Sequence, residues 1–180
     1  MEQAQQNLIS EQYRRLQEDL HADPLYGVAS IRYAPLVAEH IRRHDIHEVL
    51  DYGAGKGRLG EELDWLVPWK LDMRRYDPGV QAWSAPPAPA AFVACVDVLE
   101  HIEPDLLPNV LDDLRRVTLG TGLFTVHTGA AGKVLADGRN AHLIQRPAAW
   151  WVPQLMERFE LVQFNLMPHG FWVVVRRPTG

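Results

Sequence analysis

The stretch VLDYGAGKGRLG, Val49 to Gly60, can be read in two registers. From Asp51 it is D-x-G-x-G-x-G, and from Gly55 it is G-x-G-x-x-G. Both describe a tight turn from a strand into a helix, in which glycines let the backbone pass close to a ligand or a neighbour. The second pattern sets its first glycine directly after the buried strand. That strand would then hold Asp51, Tyr52, Gly53 and Ala54, a carboxylate and a glycine in a segment that should be apolar. The first pattern ends the strand at Leu50, puts Asp51 at its carboxyl end, and leaves Gly53, Gly55 and Gly57 for the turn. Only that register violates nothing.

Working outward, HEVLD is a short strand, and Leu59, Leu63 and Leu66 mark one face of the helix that follows the glycines. LDMRRYD is the next strand, ended by Asp77-Pro78. Residues 78 to 90 hold four prolines and no periodicity, which predicts an irregular loop. AFVACVD is an almost unbroken apolar run, the mark of a central parallel strand covered on both faces. Leu107, Val110, Leu111 and Leu114 give a helix from Pro104 to Val117, with Glu103 and Asp105 near the positive end of its dipole. GLFTVH is another buried strand, PAAWWVPQLMERF a short helix, and ELVQFNLM with FWVVVRR an antiparallel hairpin.

Upstream, Leu8 or Ile9, Tyr13, Leu16 and Leu20 predict an amphipathic helix over residues 3 to 20. A second helix is expected from Pro35, tolerated in a first turn, to His44. The alternation of strands and helices makes a three-layer α/β sandwich with an antiparallel terminal hairpin. The expected organisation is one domain over 1 to 180, with a helical cap over 1 to 45 and an α/β core over 46 to 180.

A chain of 180 residues buries roughly 70% of the surface it would expose unfolded. Its 47% hydrophobic and 23% charged residues are those of an ordinary globular protein. The single cysteine, Cys95, rules out an internal disulfide and fits a reducing compartment. The polar, amphipathic start is unlike a signal peptide, and no apolar run nears the roughly 20 residues of a membrane span. A cytoplasmic protein with no membrane partner is expected. A net charge of -5 offers no broad positive field, so nucleic acid is not the expected partner.

At this point the chain resembles the class I S-adenosylmethionine-dependent methyltransferases. VLDYGAGKG is similar to their first motif, YDP to the acidic end of their second strand, and FVACVDVLEHIEPDLLPNVLDDLRRV to the fourth strand and following helix of their small-molecule branch. The resemblance covers residues 46 to 127, and the closing hairpin agrees with the antiparallel seventh strand of that family. It implies a Rossmann-like, mostly parallel sheet and S-adenosylmethionine as cofactor. Asp51 and the glycine turn at Gly53, Gly55 and Gly57 would hold the amino acid end. Asp77 would bind the ribose, and Asp97 and Val98 would line the sulfonium. The proline-rich loop occupies the interval of the family's third strand, which is missing or reduced here, and leaves Val80, Gln81 and Trp83 as the candidates for the adenine wall.

Methyl transfer is an in-line displacement that depends chiefly on alignment, to which a general base adds roughly 10² to 10⁴ in rate for a hydroxyl or amine acceptor. His101, after the third buried strand, is the first choice of base, against the plainer role of capping the edge of the site. The long polar loop 127 to 147 carries Lys133, Arg139, Asn140 and His142. These are expected to contact a small-molecule substrate, with His142 the alternative base, unless the loop is only solvated. Tyr26 and Tyr33 either fold over the site as a lid or pack against each other. His40, His44 and His47 give no metal site, since His40 and His44 face outward on a helix with no carboxylates beside them. The expected function is methyl transfer to an O or N atom of a small molecule. Its rivals are an NAD-dependent oxidoreductase in the Gly55 register and a non-catalytic S-adenosylmethionine-binding protein.

Overall fold

The computed structural model describes residues 7–23 and 26–178. Its elements are α1 (Glu11–His21), α2 (Ala29–Arg43), β1 (Glu48–Tyr52), α3 (Arg58–Leu66), β2 (Asp72–Tyr76), β3 (Ala90–Val96), α4 (Leu107–Val117), β4 (Thr118–His127), α5 (Ala148–Met156), β5 (Glu160–Met167) and β6 (Gly170–Arg176). The strands form one sheet in the order β2-β1-β3-β4-β6-β5. The first four are parallel, and β6 is antiparallel to both β4 and β5. The chain leaves β1 towards β2 on one side and returns to β3 on the other, so the strand order reverses at β1. In open α/β sheets the crevice beyond the carboxyl ends at such a reversal is where ligands bind.

The apolar runs explain the layers. Successive side chains of a strand point to opposite faces, so an unbroken apolar strand feeds two cores. On one face Leu50, Val93, Cys95 and Phe124 meet Leu107, Leu111 and Leu114 of α4 and Trp151 of α5. On the other, Val49, Phe92, Ala94 and Leu123 meet Val37 and Ile41 of α2 and Leu59 and Leu63 of α3. The sheet therefore lies between two helical layers, closed by a β5–β6 hairpin.

Three boundaries differ from the expectation. The first helix begins at Glu11, not at residue 3, because Ser10 caps it with Oγ accepting the Tyr13 N–H at 3.1 Å. Residues 7 to 10 are non-helical, and residues 3 to 6 of the expected helix lie outside the described residues. The second helix begins at Ala29, six residues before Pro35, which it carries in its second turn on the exposed side. β1 runs on through Asp51 and Tyr52, which pair with Arg75 and Tyr76. The apolar strand does admit a carboxylate, so that ground for choosing between registers fails. The turn nevertheless starts at Gly53, and Gly53, Gly55 and Gly57 all take left-handed φ, at 81°, 49° and 74°. Loop 78 to 89 contains one 3₁₀ turn, Gln81–Trp83, and no strand, which confirms that the third strand is missing.

Candidate active site

A cavity of about 430 Å³ opens at the carboxyl ends of β1 and β3. Its floor is the glycine turn. An added Cβ at Gly53 would stand 2.4 Å from Val98 Cγ2, so only glycine lets the turn reach the loop after β3. Gly55 donates its N–H to Asp77 Oδ2 and Gly79 donates to Asp77 Oδ1, both at 2.8 Å, which fixes the carboxylate at the end of β2. Each oxygen keeps a lone pair for a ligand.

Asp51 is only 3% exposed, and its Oδ2 has no hydrogen-bond partner. Burial pushes its carboxyl up to about 7, with Arg75 pulling down and Asp77 pushing up. A buried acceptor left unmatched at a cavity wall calls for a donor from the ligand, and a cation would suit it best.

Beyond β3 the chain turns sharply. Asp97 adopts a left-handed φ of 59°, rare for a residue with a side chain, and its N–H is held by Thr125 Oγ1 at 2.9 Å. Burial raises the Asp97 carboxyl, but the neighbouring His101 and His142 imidazoles outweigh it and leave it lowered. Glu100 is fully buried, and burial together with the Asp97 charge holds it well above the usual carboxylate range. Its Oε1 accepts the His127 N–H at 2.6 Å, while Oε2 has no partner. His101 turns Nδ1 to the Ala141 carbonyl at 2.9 Å, and His142 turns Nδ1 to the Gly129 carbonyl at 2.7 Å. Burial lowers the His142 imidazole. The two rings stand edge to face, 4.7 Å apart.

The roof comes from α1, α2 and the loop after β4. Tyr13 donates its hydroxyl to the His101 carbonyl at 2.6 Å, and Gln17 Nε2 donates to the Tyr13 hydroxyl at 2.6 Å. Tyr26 meets His21 edge to face at 5.2 Å, with its hydroxyl 3.4 Å from His101 Nδ1. Tyr33 lines the cavity from α2. Lys133 also lines it, with its ammonium paired to Asp23 at 2.7 Å. That pair ties the β4 loop to the end of the N-terminal helix.

No family model and no curated protein sequence matches the chain. Solved structures do. The 1,6-didemethyltoxoflavin-N1-methyltransferase of Burkholderia thailandensis, bound to 1,6-didemethyltoxoflavin and S-adenosylhomocysteine, superposes with a TM-score of 0.65 at 17% identity, over 97% of this chain and 93% of its own. The fold is that of the class I methyltransferases. The N-methyltransferase NodS of Bradyrhizobium japonicum, in complex with S-adenosylhomocysteine, superposes with a TM-score of 0.59 at 12% identity over 94% of this chain and all of its own. The mitomycin 7-O-methyltransferase MmcR reaches 0.67 at 14% identity over 90% of this chain, which spans 60% of that larger protein.

Within the methyltransferase fold, the residues named from sequence divide. Asp51, Gly53, Gly55, Asp77, Asp97, Val98, His101, His142, Tyr26, Tyr33 and Lys133 all border the cavity. Gly57 does not. Its Cβ would lie 2.8 Å from Arg75 Nε, so it serves helix–strand packing. Val80, Gln81 and Trp83 also stand away from the cavity, and Trp83 Nε1 instead donates to the Gly55 carbonyl at 3.0 Å, bracing the turn from behind. Arg139 pairs with Asp137 at 2.7 Å, and Asn140 holds its own loop through Ala131 and His142. Neither borders the cavity, and the contacts both make are within their own loop and with α1.

Sequence reading missed Tyr13, Gln17, His21 and His127 on the cavity wall, while Glu100, which the sequence sets on the carboxyl edge of the sheet with Asp97 and His101, proves fully buried. Gln17 on the inner face of an amphipathic helix was the available signal. The three histidines weighed from sequence as metal ligands, His40, His44 and His47, do not meet at the cavity. His40 stacks on Phe92 and His47 pairs with Asp45. Asp97, His101 and His142 instead bring one ligand atom each within 4.8 Å of one another.

Proposed function

We propose that the protein transfers a methyl group from S-adenosylmethionine to an O or N atom of a small molecule. The observation that carries this reading is Asp51. Its buried, unpartnered carboxylate oxygen sits at the end of β1, beside a turn of three left-handed glycines. A nicotinamide dinucleotide offers its pyrophosphate at such a turn and would meet a carboxylate there, whereas an amino acid ammonium meets its counter-charge.

The residues present fit S-adenosylmethionine, which supplies a methyl group activated on a sulfonium. Asp51 would accept the ammonium, the turn at Gly53 and Gly55 would admit the amino acid end, and the spare lone pairs of Asp77 would take the ribose hydroxyls. Asp97 and Val98 would line the reactive end. His101 and His142, with both Nδ1 atoms turned to carbonyls, present Nε2 to an acceptor as a place for its proton. Alignment of this kind supplies roughly 7 to 11 kcal/mol of barrier lowering. The enclosed wall of α1, α2 and the β4 loop suits a small acceptor, and the solved structures of toxoflavin and mitomycin methyltransferases are consistent with one. The helices that form this wall belong with the α/β core as one functional unit. No described helix is long and apolar enough to cross a membrane.

Thermal unfolding with S-adenosylhomocysteine, S-adenosylmethionine or NAD tests the reading. A ligand at 100 times its dissociation constant stabilises by about 2.7 kcal/mol, and the first two should do so. Stabilisation by NAD alone would refute the proposal. Binding without turnover of any hydroxyl or amine acceptor would favour the non-catalytic alternative.

A further inference from the structure

We propose that Asp97, His101 and His142 hold a divalent transition-metal cation at the inner end of the cavity, and that the methyl acceptor is an oxygen ligated by that cation. The cation site stands on geometry alone, whereas the acceptor class rests on the methyltransferase reading above.

Hydrogen bonding decides the first step. A carbonyl oxygen can only accept, so His101 Nδ1 facing the Ala141 carbonyl at 2.9 Å must carry a proton. The same holds for His142 Nδ1 facing the Gly129 carbonyl at 2.7 Å. In a neutral imidazole the lone pair is then on Nε2. Histidines that bind metals are held in this way, with the second nitrogen donating to a backbone carbonyl. His142 is held twice over, because Asn140 Oδ1 accepts both its N–H and that of Ala131 at 2.9 Å.

The second step is spacing. His101 Nε2 lies 4.0 Å from Asp97 Oδ2. A charge-assisted hydrogen bond from an imidazolium would close to about 2.7–2.9 Å, so a bound proton does not account for the gap. Ligand atoms at roughly 2.0–2.3 Å from a shared cation stand about 3 Å apart when adjacent and about 4.5 Å apart when opposite. Asp97, His101 and His142 each offer one ligand atom, and these atoms fall within 4.8 Å of one another, close to the upper end of that range.

Two further observations point to a ligand. Asp97 holds its carboxylate here from a left-handed backbone, and such strain gathers where a side chain must be aimed. Glu100, three residues along the chain and close to the Asp97 carboxyl, is 0% exposed, and its Oε2 has no hydrogen-bond partner. Two imidazole nitrogens with carboxylate oxygen suit Mn²⁺, Fe²⁺, Co²⁺ or Zn²⁺ better than Ca²⁺ or Mg²⁺.

Such a cation changes what the histidines do. Their Nε2 lone pairs are then ligands, and no longer bases. The acceptor hydroxyl loses its proton to solvent more readily beside the cation, and its oxygen lone pair forms the new bond to the methyl carbon. The electron pair of the broken carbon–sulfur bond returns to sulfur, leaving a neutral thioether. An ammonium acceptor is repelled, so the substrate class narrows to phenols, enols and other acidic hydroxyls.

Chelator-treated full-length protein titrated with Co²⁺ and with Mn²⁺ provides the test, read by visible absorption and by loss of the free Mn²⁺ spin signal. One equivalent should bind, with a Co²⁺ band that reports nitrogen ligation. His101→Gln, His142→Gln and Asp97→Asn should each weaken binding at least tenfold, while exposed His47→Gln should not. Far-UV circular dichroism checks that each variant is folded, and His142→Gln should keep its thermal stabilisation by S-adenosylhomocysteine. Weak binding that none of the three variants alters overturns the cation site, and the methyltransferase reading survives if S-adenosylhomocysteine still stabilises. Tight, variant-sensitive metal binding without any response to S-adenosylhomocysteine keeps the site and removes the acceptor class with the methyltransferase reading.

Discussion

Two residues set what the cavity can hold. The Asp51 carboxyl, raised to about 7 by burial, must be ionised to receive an ammonium. Affinity for S-adenosylhomocysteine should therefore be steady above about pH 7 and fall as pH drops below it, by up to tenfold per unit, with a proton released on binding. Calorimetry between pH 5.5 and 8 measures both effects. In Asp51→Asn the slope should vanish and affinity at pH 7.5 should drop by about 1.5–3 kcal/mol, the value of a hydrogen bond to a charged group. An unchanged slope in that variant would place the titrating group elsewhere. Gly53 sets the other limit. Gly53→Ala meets Val98 Cγ2 at 2.4 Å and adds a side chain at a φ of 81°. A loss on the order of 3 kcal/mol is expected, of which left-handed strain accounts for about 1–2. Adding Val98→Ala should restore the steric part in urea unfolding. Strictly additive losses would show that Val98 is not the obstacle.

At the scale of elements, the loop from β4 to α5 is held by its own backbone bonds and by the Asn140 side chain. Asn140 Oδ1 accepts from Ala131 and His142, and its Nδ2 donates to the Ala131 carbonyl, all at 2.9 Å. Asn140→Ala should speed amide hydrogen exchange over residues 129 to 142 and leave β3 and β4 protected, since the loop's own bonds stand apart from both cores. Unaltered exchange there would show that the Val134–Asn140 bridge and the Lys133–Asp23 pair suffice. This loop also marks where sequence reading stopped. The elements themselves were legible, because β3 and β4 are apolar on both faces and α4 repeats at helical spacing. The positions of Arg139 and Asn140 were not, since polarity in a long loop looks the same whether it faces a ligand or its own backbone. His101 and His142 lie 41 positions apart and meet only through the fold. The start of α2 was hidden by Pro35, which normally opens a helix but here sits on the exposed face, where a missing backbone bond is tolerated. Asp51 was recognised as the decisive acid, but its place inside β1 was not, because nothing local shows that a strand can bury an unpaired carboxylate.

Across the whole molecule, those buried groups make stability depend on pH in two opposing ways. His40 is lowered to about 4 by burial and by the charges of His44 and Arg43. Its unfolded value is near 6.5, so the unfolded chain binds more protons between these limits, and stability is lost as pH falls from about 6.5 towards 4. Asp51 works in the other direction. Its folded value of about 7 exceeds the unfolded value near 3.9, so its contribution is fully present below pH 3.9 and is lost as pH rises through 7. The ligand-free protein should thus show a shallow profile between pH 4 and 6.5. His40→Gln should remove the acid-side loss, while Asp51→Asn should remove the neutral-side one. The second change is the sharper test, because it sets stability against binding. At pH 7.5 Asp51→Asn should raise ligand-free stability by on the order of 1–3 kcal/mol, less than the full shift because the new amide needs partners of its own. At pH 4 that advantage should be gone, leaving the variant level with its parent or below it by the cost of the amide. Thermal unfolding at both values, with and without S-adenosylhomocysteine, should then show the parent gaining from the ligand at neutral pH and the variant already stable but barely responsive. A variant less stable than its parent at pH 7.5 would mean that the Asp51 carboxylate is satisfied within the protein, and the case for an ammonium beside it would fall.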